Sequence, residues 1–407
     1  MSAGLAIFVL TYALISARRL NWLGFDRPAG ALLGAVACVA SGALTPDGAL
    51  AAVDGGTLLL LFGVMGMGAF LALDGFFDEI ERRLTAHART PARLVGYVVW
   101  GAGVLSALIT NDAVCVLGAG LLVRIIERHR LPALPFLLAL ATGANTGSVA
   151  TLVGNPQNML CGLLGHLSYR DHLLLMAPVA VLGLALNHAL LLWCFGRSLG
   201  PATLEAGEAA APLSRRAKIT LLVIAASAIV YVLGGHLAWT ATAAFVLLML
   251  IHRRDTRQLW PRIDWSLLLF FGGLFVVVEG LRSSGVPEAL FARFPLGEGD
   301  DSPASWARLA LIFLIGSNVV SNVPFILVVA DQMNTLRDPA LGWELLAMAS
   351  TFAGNLTLLG SVANVIVAEA GRDVGGIGFW QYLRVGFPLA LGSTLIGLGW
   401  ILWVASP

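Results

Sequence analysis

Charge is scarce in this chain: only 12 % of its 407 residues are charged, against 58 % apolar, and the mean hydropathy is +0.84. A water-surrounded domain carries about twice that share of charge, so lipid is the main solvent implied here. The net charge of +1 excludes the basic field that nucleic-acid binding requires. Cysteine is also sparse. Cys38, Cys115, Cys161 and Cys194 are scattered through apolar runs, with neither disulfide-framework nor metal-site spacing, and read as buried thiols. No basic residue precedes the first apolar run, Ala3 to Ser16, whereas Arg18 and Arg19 follow it directly. A cleaved signal peptide has the reverse order, so this run is expected to stay as a span. Nor is there a nucleophile–base or metal cluster near one end of the spans, and no enzyme is expected.

What the chain does have is apolar length. Hydropathy predicts spans near 3–17, 28–45, 56–73, 133–165, 172–194, 218–234, 237–251, 264–281, 343–370 and 380–403. Two further blocks, 94–123 and 305–330, suit one helix or two spans poorly and are predicted as re-entrant hairpins. With the loop at 18–27 taken as cytoplasmic, 20 of the 25 basic residues fall on the cytoplasmic side, as the positive-inside rule requires. A multi-pass protein of the plasma (inner) membrane with both termini outside is expected.

The two halves echo each other. Val53-Asp54 before Leu58-Leu59-Leu60 recurs as Ile263-Asp264 before Leu267-Leu268-Leu269; Thr110-Asn111 recurs as Ser321-Asn322; Thr151-Leu152-Val153-Gly154 recurs as Thr357-Leu358-Leu359-Gly360. The fold class expected is an all-α polytopic membrane protein built as an inverted repeat, each half holding five spans and one hairpin. The first repeat is 1–199 (hairpin 94–123, broken helix 133–165) and the second 218–407 (hairpin 305–330, broken helix 343–371). A cytoplasmic linker, 200–217, joins them. The Gly-rich runs Gly63 to Gly68 and Gly272-Gly273 are expected at close helix contacts.

Polar residues interrupt these apolar blocks at four places: Ile109 to Ala113, Gly154 to Asn158, Val320 to Pro324 and Gly360 to Asn364. Non-helical backbone at membrane depth survives only buried in protein or lining a wet cavity. The breaks supply the substrate- or ion-binding set Thr110, Asn111, Asp112, Asn145, Thr146, Asn155, Asn158, Ser321, Asn322, Asn355, Thr357, Ser361 and Asn364. Amides and hydroxyls both donate and accept, which suits a small oxygen-rich solute. Helix N-termini at the breaks would add partial positive charge for an anion, and freed carbonyls would add oxygen ligands for a cation. The broken segments contain no lysine, and arginine occurs only at or beyond their ends, so a multiply charged anion would need a cation beside it. Asp112 is the acid at the centre of a membrane hairpin. It reads either as the cation or proton carrier or as a cap on its own helix. Asn111, Asp112 and Asn155 form a candidate sodium site; beyond that ion no cofactor is expected. His188, Glu279 and Glu369 read as a bundle residue and two interfacial acids.

Thr110-Asn111-Asp112, Gly154-Asn155-Pro156-Gln157-Asn158, Ser321-Asn322-Val323-Pro324 and the run Gly354 to Asn364 resemble the ion transporter superfamily. The likeness spans nearly the whole chain. It is nearest to the branch of arsenite permeases, NhaD-type sodium–proton antiporters and citrate-transporter-like anion permeases. The resemblance implies an elevator mechanism, in which hairpins and broken helices slide against a dimeric scaffold. The superfamily's sodium–dicarboxylate symporters carry Ser-Asn-Thr at both tips; here an acid (Asp112) and Val323 replace the last hydroxyl. The expected function is secondary active transport of a small anion or oxyanion coupled to sodium or protons. Arsenite or antimonite efflux and sodium–proton antiport are the alternatives. The expected partners are a small-molecule or ion substrate, the lipid bilayer and a second copy in a homodimer.

Overall fold

The computed structural model describes residues 3–16, 26–200, 212–297 and 302–405, and among these every regular element is a helix. The chain starts with α1 (Ala3–Ser16) and α2 (Arg27–Ala40). The expected loop arginines Arg18 and Arg19 lie outside the described residues, as does 201–211 of the expected linker. Asp26 starts α2: its carboxylate accepts the Ala29 N–H at 2.9 Å, and Pro28 follows in the first turn. A short α3 (Pro46–Ala51) leads into α4 (Gly55–Leu73). The repeated Val-Asp and Ile-Asp pairs prove to be repeated helix starts. Asp54 caps α4 through the Thr57 N–H at 2.5 Å, and Asp264 caps α13 (Trp265–Arg282) through the Leu267 N–H at 2.9 Å.

Two helix trios exchange partners between the halves. In one, α1 and α2 pack on α13; in the other, α11 (Arg215–Val232) and α12 (Leu237–His252) pack on α4. Glycine permits both contacts. A β-carbon at Gly63 would stand 2.6 Å from the Ala241 backbone, and one at Gly273 would stand 2.7 Å from the Ala31 backbone. Each trio leads into a short amphipathic helix, α5 (Phe76–His87) or α14 (Val286–Arg293).

Beyond these connectors the chain forms two helical hairpins, α6 (Pro91–Leu108) with α7 (Asn111–His129) and α15 (Pro303–Val320) with α16 (Asn322–Met333). Register against α8 (Ala133–Ser148) proves the first reversal. Gly147 of α8 abuts Gly103 and the Thr151 hydroxyl donates to Ala107, so α6 runs parallel to α8; Gly118 faces Leu140 while Asn111 reaches Asn145, so α7 runs antiparallel. The hairpin arms run further than the expected 94–123 and 305–330, because Thr90-Pro91 and Ser302-Pro303 are helix starts that hydropathy alone overlooks. The span expected at 28–45 is shorter, ending as a helix at Ala40.

Both expected broken helices are broken. Helix α8 stops at Ser148 and α9 (Pro156–Leu164) resumes; α17 (Pro339–Leu356) stops and α18 (Val362–Ala370) resumes. The long helices α10 (Tyr169–Leu199) and α19 (Phe379–Ala405) pack on each other and on α8 and α17. Among the described residues six helices are long and apolar enough to cross a membrane, with four shorter apolar ones beside them. The chain is a multi-pass membrane protein.

Candidate functional site

Four helices begin around one small cavity. Asn111 and Asp112 open α7, Pro156 and Gln157 open α9, Asn322 and Val323 open α16, and Val362 opens α18; all line a space of about 50 Å³. Ser321, Gly360, Ser361 and Arg27 complete the polar part of the wall, with Leu267, Phe270 and Phe271 of α13 opposite. A space of this size admits a few non-hydrogen atoms or waters. Four converging N-termini bring the positive ends of their helix dipoles toward it.

Two acceptors balance those donors. Asn111 donates its amide N–H to Asn145 Oδ1 at 2.9 Å, and Asn322 points its amide N–H toward the Gly360 carbonyl at 3.5 Å. The amide oxygen of each is buried without a partner. A buried carbonyl left unpaired costs about 1–3 kcal/mol, which an incoming O–H group or cation would recover.

Behind the cavity a polar lattice joins the two halves, with Asn145 at its hub. Asn145 Oδ1 accepts from Asn111 and from the Ser361 hydroxyl at 3.2 Å, and its amide donates to Asn355 Oδ1 at 3.1 Å and Asn364 Oδ1 at 2.9 Å. Asn355 in turn donates to the Thr146 hydroxyl at 2.9 Å. Each break is stapled the same way. Asn158 donates to the carbonyls of Ser148 and Thr151 at 3.2 and 3.0 Å, and Asn364 to those of Gly354 and Thr357 at 2.7 and 3.2 Å. These bonds satisfy carbonyls that the interrupted helices free. Asn155 donates its amide N–H to Ser148 at the first break at 2.8 Å and to Thr351 of α17 at 3.0 Å, while its oxygen caps α9 through the Asn158 N–H. The Thr357 hydroxyl is paired with Asn318 of α15 at 3.3 Å.

The structure therefore sorts the expected residues. Asn111, Asp112, Ser321, Asn322 and Ser361 meet at the cavity; Asn145, Asn355, Asn364 and Thr146 support it; Asn155, Asn158 and Thr357 brace the breaks. In the candidate sodium set, Asn111 and Asp112 share the cavity wall, whereas Asn155 is held within the broken helix. Thr110, not Asp112, caps α7, its hydroxyl accepting the Ala113 N–H at 3.3 Å. The Asp112 carboxylate lies near the Ala363 N–H, which brings the acid of the first hairpin to the start of α18 in the second half. It also lines a second, wider cavity of about 490 Å³ with Thr110, Met65, Arg262 and Asp264.

Sequence reading missed Arg27, which had been placed among the loop arginines. Its signal was local: Asp26-Arg27-Pro28 is a helix start, which draws Arg27 onto α2 and to the cavity. His172 and Glu344 were missed as well. They form a buried pair at 2.6 Å, and the other ring nitrogen of His172 donates to Val149 in the first break at 3.1 Å. No local pattern marks two residues so far apart.

Known proteins resemble this chain in sequence and in fold. The citrate transporter family matches residues 12–353. The rice (Oryza sativa subsp. japonica) silicon efflux transporter LSI3 is 31 % identical over 448 aligned residues, covering 93 % of this chain and 92 % of the relative. The transporter named arsB of Dictyostelium discoideum is 25 % identical, covering 92 % of this chain and 87 % of the relative. The crystal structure of the Alcanivorax borkumensis YdaH transporter shares the fold, with a TM-score of 0.58 at 15 % identity over 98 % of this chain and 96 % of that one. The chain belongs to the citrate transporter (CitMHS) family of the ion transporter superfamily.

Proposed function

We propose that this protein is a secondary active transporter that carries a small oxyanion in a form bearing O–H groups across the plasma membrane, driven by a sodium or proton gradient. The single observation behind this is the convergence of four helix N-termini and Arg27 on a cavity whose wall includes Asn111 and Asn322, each with a buried amide oxygen that has no partner. N–H groups and a guanidinium favour negative oxygen, whereas the oxygens of Asn111 and Asn322 demand donors. A partly protonated oxyanion supplies both. A fully ionised dicarboxylate offers no donors, and its length exceeds the cavity.

The named activities of the silicon and arsB relatives support a second reading, efflux of a neutral hydroxide such as arsenous or silicic acid. The two unpartnered acceptors favour it for the same reason, since each hydroxyl can donate. In both readings Asp112 is the coupling group. It lines both the small cavity and the wide one and is the acid common to the two. The exchanged trios and the matching staples of the two breaks support an inverted repeat. In that arrangement the hairpins and broken helices move against the trios as an elevator within a homodimer.

The test is reconstitution in proteoliposomes with phosphate, sulfate, citrate, arsenite and silicic acid offered under imposed sodium or proton gradients. Gradient-driven accumulation of a small oxyanion or hydroxide, with citrate no faster than in empty liposomes, is expected. Uptake of citrate alone, or of none of the five, would overturn the proposal. Sodium-driven proton flux without any added solute would assign antiport instead.

A further inference from the structure

The start of α10 holds a buried pair that the proposed carriage does not use. His172 is fully buried and Glu344 of α17 is 7 % exposed. Nδ1 of His172 lies 2.6 Å from Glu344 Oε2, and Nε2 lies 3.1 Å from the Val149 carbonyl at the first break. These two contacts fix the number of hydrogens. A carbonyl only accepts, so Nε2 carries an N–H, and a second hydrogen must lie between Nδ1 and the carboxylate. A neutral imidazole has one N–H and an ionised carboxylate has none. The pair therefore holds one proton more than those two forms supply, and that proton belongs to the pair whether ring or carboxyl carries it. We infer that His172 and Glu344 form a proton-binding site, separate from Asp112, whose proton keeps the first break in place.

Removing the proton sets two lone pairs against each other, either across the 2.6 Å contact or at the Val149 carbonyl. With His172 fully buried, water cannot replace the lost bond, so the pair or the break must shift. If the lost bond is the one to Val149, its carbonyl keeps only the Asn158 amide at 3.4 Å. The break reaches the cavity directly. Its Gly154 carbonyl accepts the Asn111 N–H at 2.9 Å, and Pro156 and Gln157 beyond it stand on the cavity wall. A proton bound between α10 and α17 thus acts on that wall through the break.

The surrounding charges leave the pair to itself. Helix α8 carries no titratable residue, and the ends of α6 and α19 that come near, at Ala107 and Trp400, carry none either. Cys161 of α9 senses the Glu344 charge, and Tyr169 of α10 and Tyr231 of α11 lie ring against ring at 5.1 Å. Arg170 and Asp171 beside His172, Asp338 at the start of α17, Arg308 of α15 and Asp331 of α16 are all exposed.

Hydrogen–deuterium exchange reads the break itself and needs no cargo, so its result stands apart from the oxyanion reading. The reporters are the amides of Ala150 and Gly154, bonded to the carbonyls of Gly147 and Thr151 at 3.1 and 3.3 Å. Exchange is followed by mass spectrometry on the full chain in lipid nanodiscs at about pH 6 and about pH 9, which brackets histidine titration, and is corrected for the intrinsic effect of pH. Wild type should exchange at least about tenfold faster at the higher pH. In Glu344→Gln a neutral ring keeps both bonds, because the side-chain amide donates to Nδ1, so exchange should be slow at both pH values. Asp112→Asn should keep the wild-type response. Equal protection of wild type at both pH values, fast exchange of Glu344→Gln at both, a wild-type response in Glu344→Gln, or loss of the response in Asp112→Asn would each overturn the assignment. Should Glu344→Gln fail to fold, wild type and Asp112→Asn decide by the same criteria.

Discussion

At the residue scale, the candidate site is built from side chains that are over-committed or under-committed in hydrogen bonding. Asn145 is the first kind, with four side-chain partners from both halves of the chain, itself 2 % exposed. Asn145→Ala strands Asn111, Asn355, Ser361 and Asn364 together and should cost about 4 kcal/mol or more, at the exceptional end for one substitution. A melting curve in detergent checks this; a shift as small as that of a surface variant would contradict it. Asn111 and Asn322 are the second kind, both lining the cavity and each with a buried, unused amide oxygen. Asp112→Asn should keep an acceptor for the Ala363 N–H and therefore the fold. Gradient-driven transport should nevertheless fall at least about tenfold, and undiminished coupling would contradict the carrier role. Ser321 shows strain directly, with φ 70° and ψ 146° at the second tip, a region that glycine tolerates and other residues rarely adopt. Ser321→Gly should raise stability by about 1 kcal/mol, read as a higher melting temperature; a lower one would mean that the strain estimate or the role of its hydroxyl is misjudged.

Elements show where the sequence speaks and where it is silent. Polar interruptions in apolar runs announce both hairpin tips and both helix breaks, because lipid forbids unsatisfied backbone and so leaves a visible trace. Helix starts such as Thr90-Pro91 leave a subtler trace that hydropathy does not register. Long-range pairing leaves none. His172 and Glu344 sit near the starts of α10 and α17, where a polar residue ordinarily reads as interfacial, yet both are buried and bridge to the first break through Val149. Breaking such a pair leaves an uncompensated buried group. His172→Gln should cost about 3 kcal/mol or more. The double variant His172→Gln with Glu344→Gln, which keeps two neutral hydrogen-bonding groups, should recover at least half. A loss in the double variant equal to the sum of the two single losses would show that the two residues are not coupled.

For the whole molecule, the repeat in the sequence becomes an exchange in space: α2 on α13 and α12 on α4. Repeated motifs announced two similar halves; which half contacts which depends on tertiary packing and is not written in either motif. Arg27 illustrates the gap. Counting charges by loop placed it in the cytoplasm, whereas folding delivers it to the cavity from α2, and with it a positive charge on the wall that the broken segments themselves lack. Asp112 lines both a wide cavity of about 490 Å³ and a narrow one of about 50 Å³, the arrangement on which the proposed carrier role rests. The most direct test takes the solute that accumulates best in proteoliposomes and follows it while the driving gradient is reversed, in wild type and in the Asn111→Ala, Asn322→Ala double variant. Accumulation should reverse with the gradient in wild type and disappear in the double variant. Transport that ignores the gradient, or that survives undiminished without both amides, would contradict coupled carriage of an oxyanion at the hairpin tips.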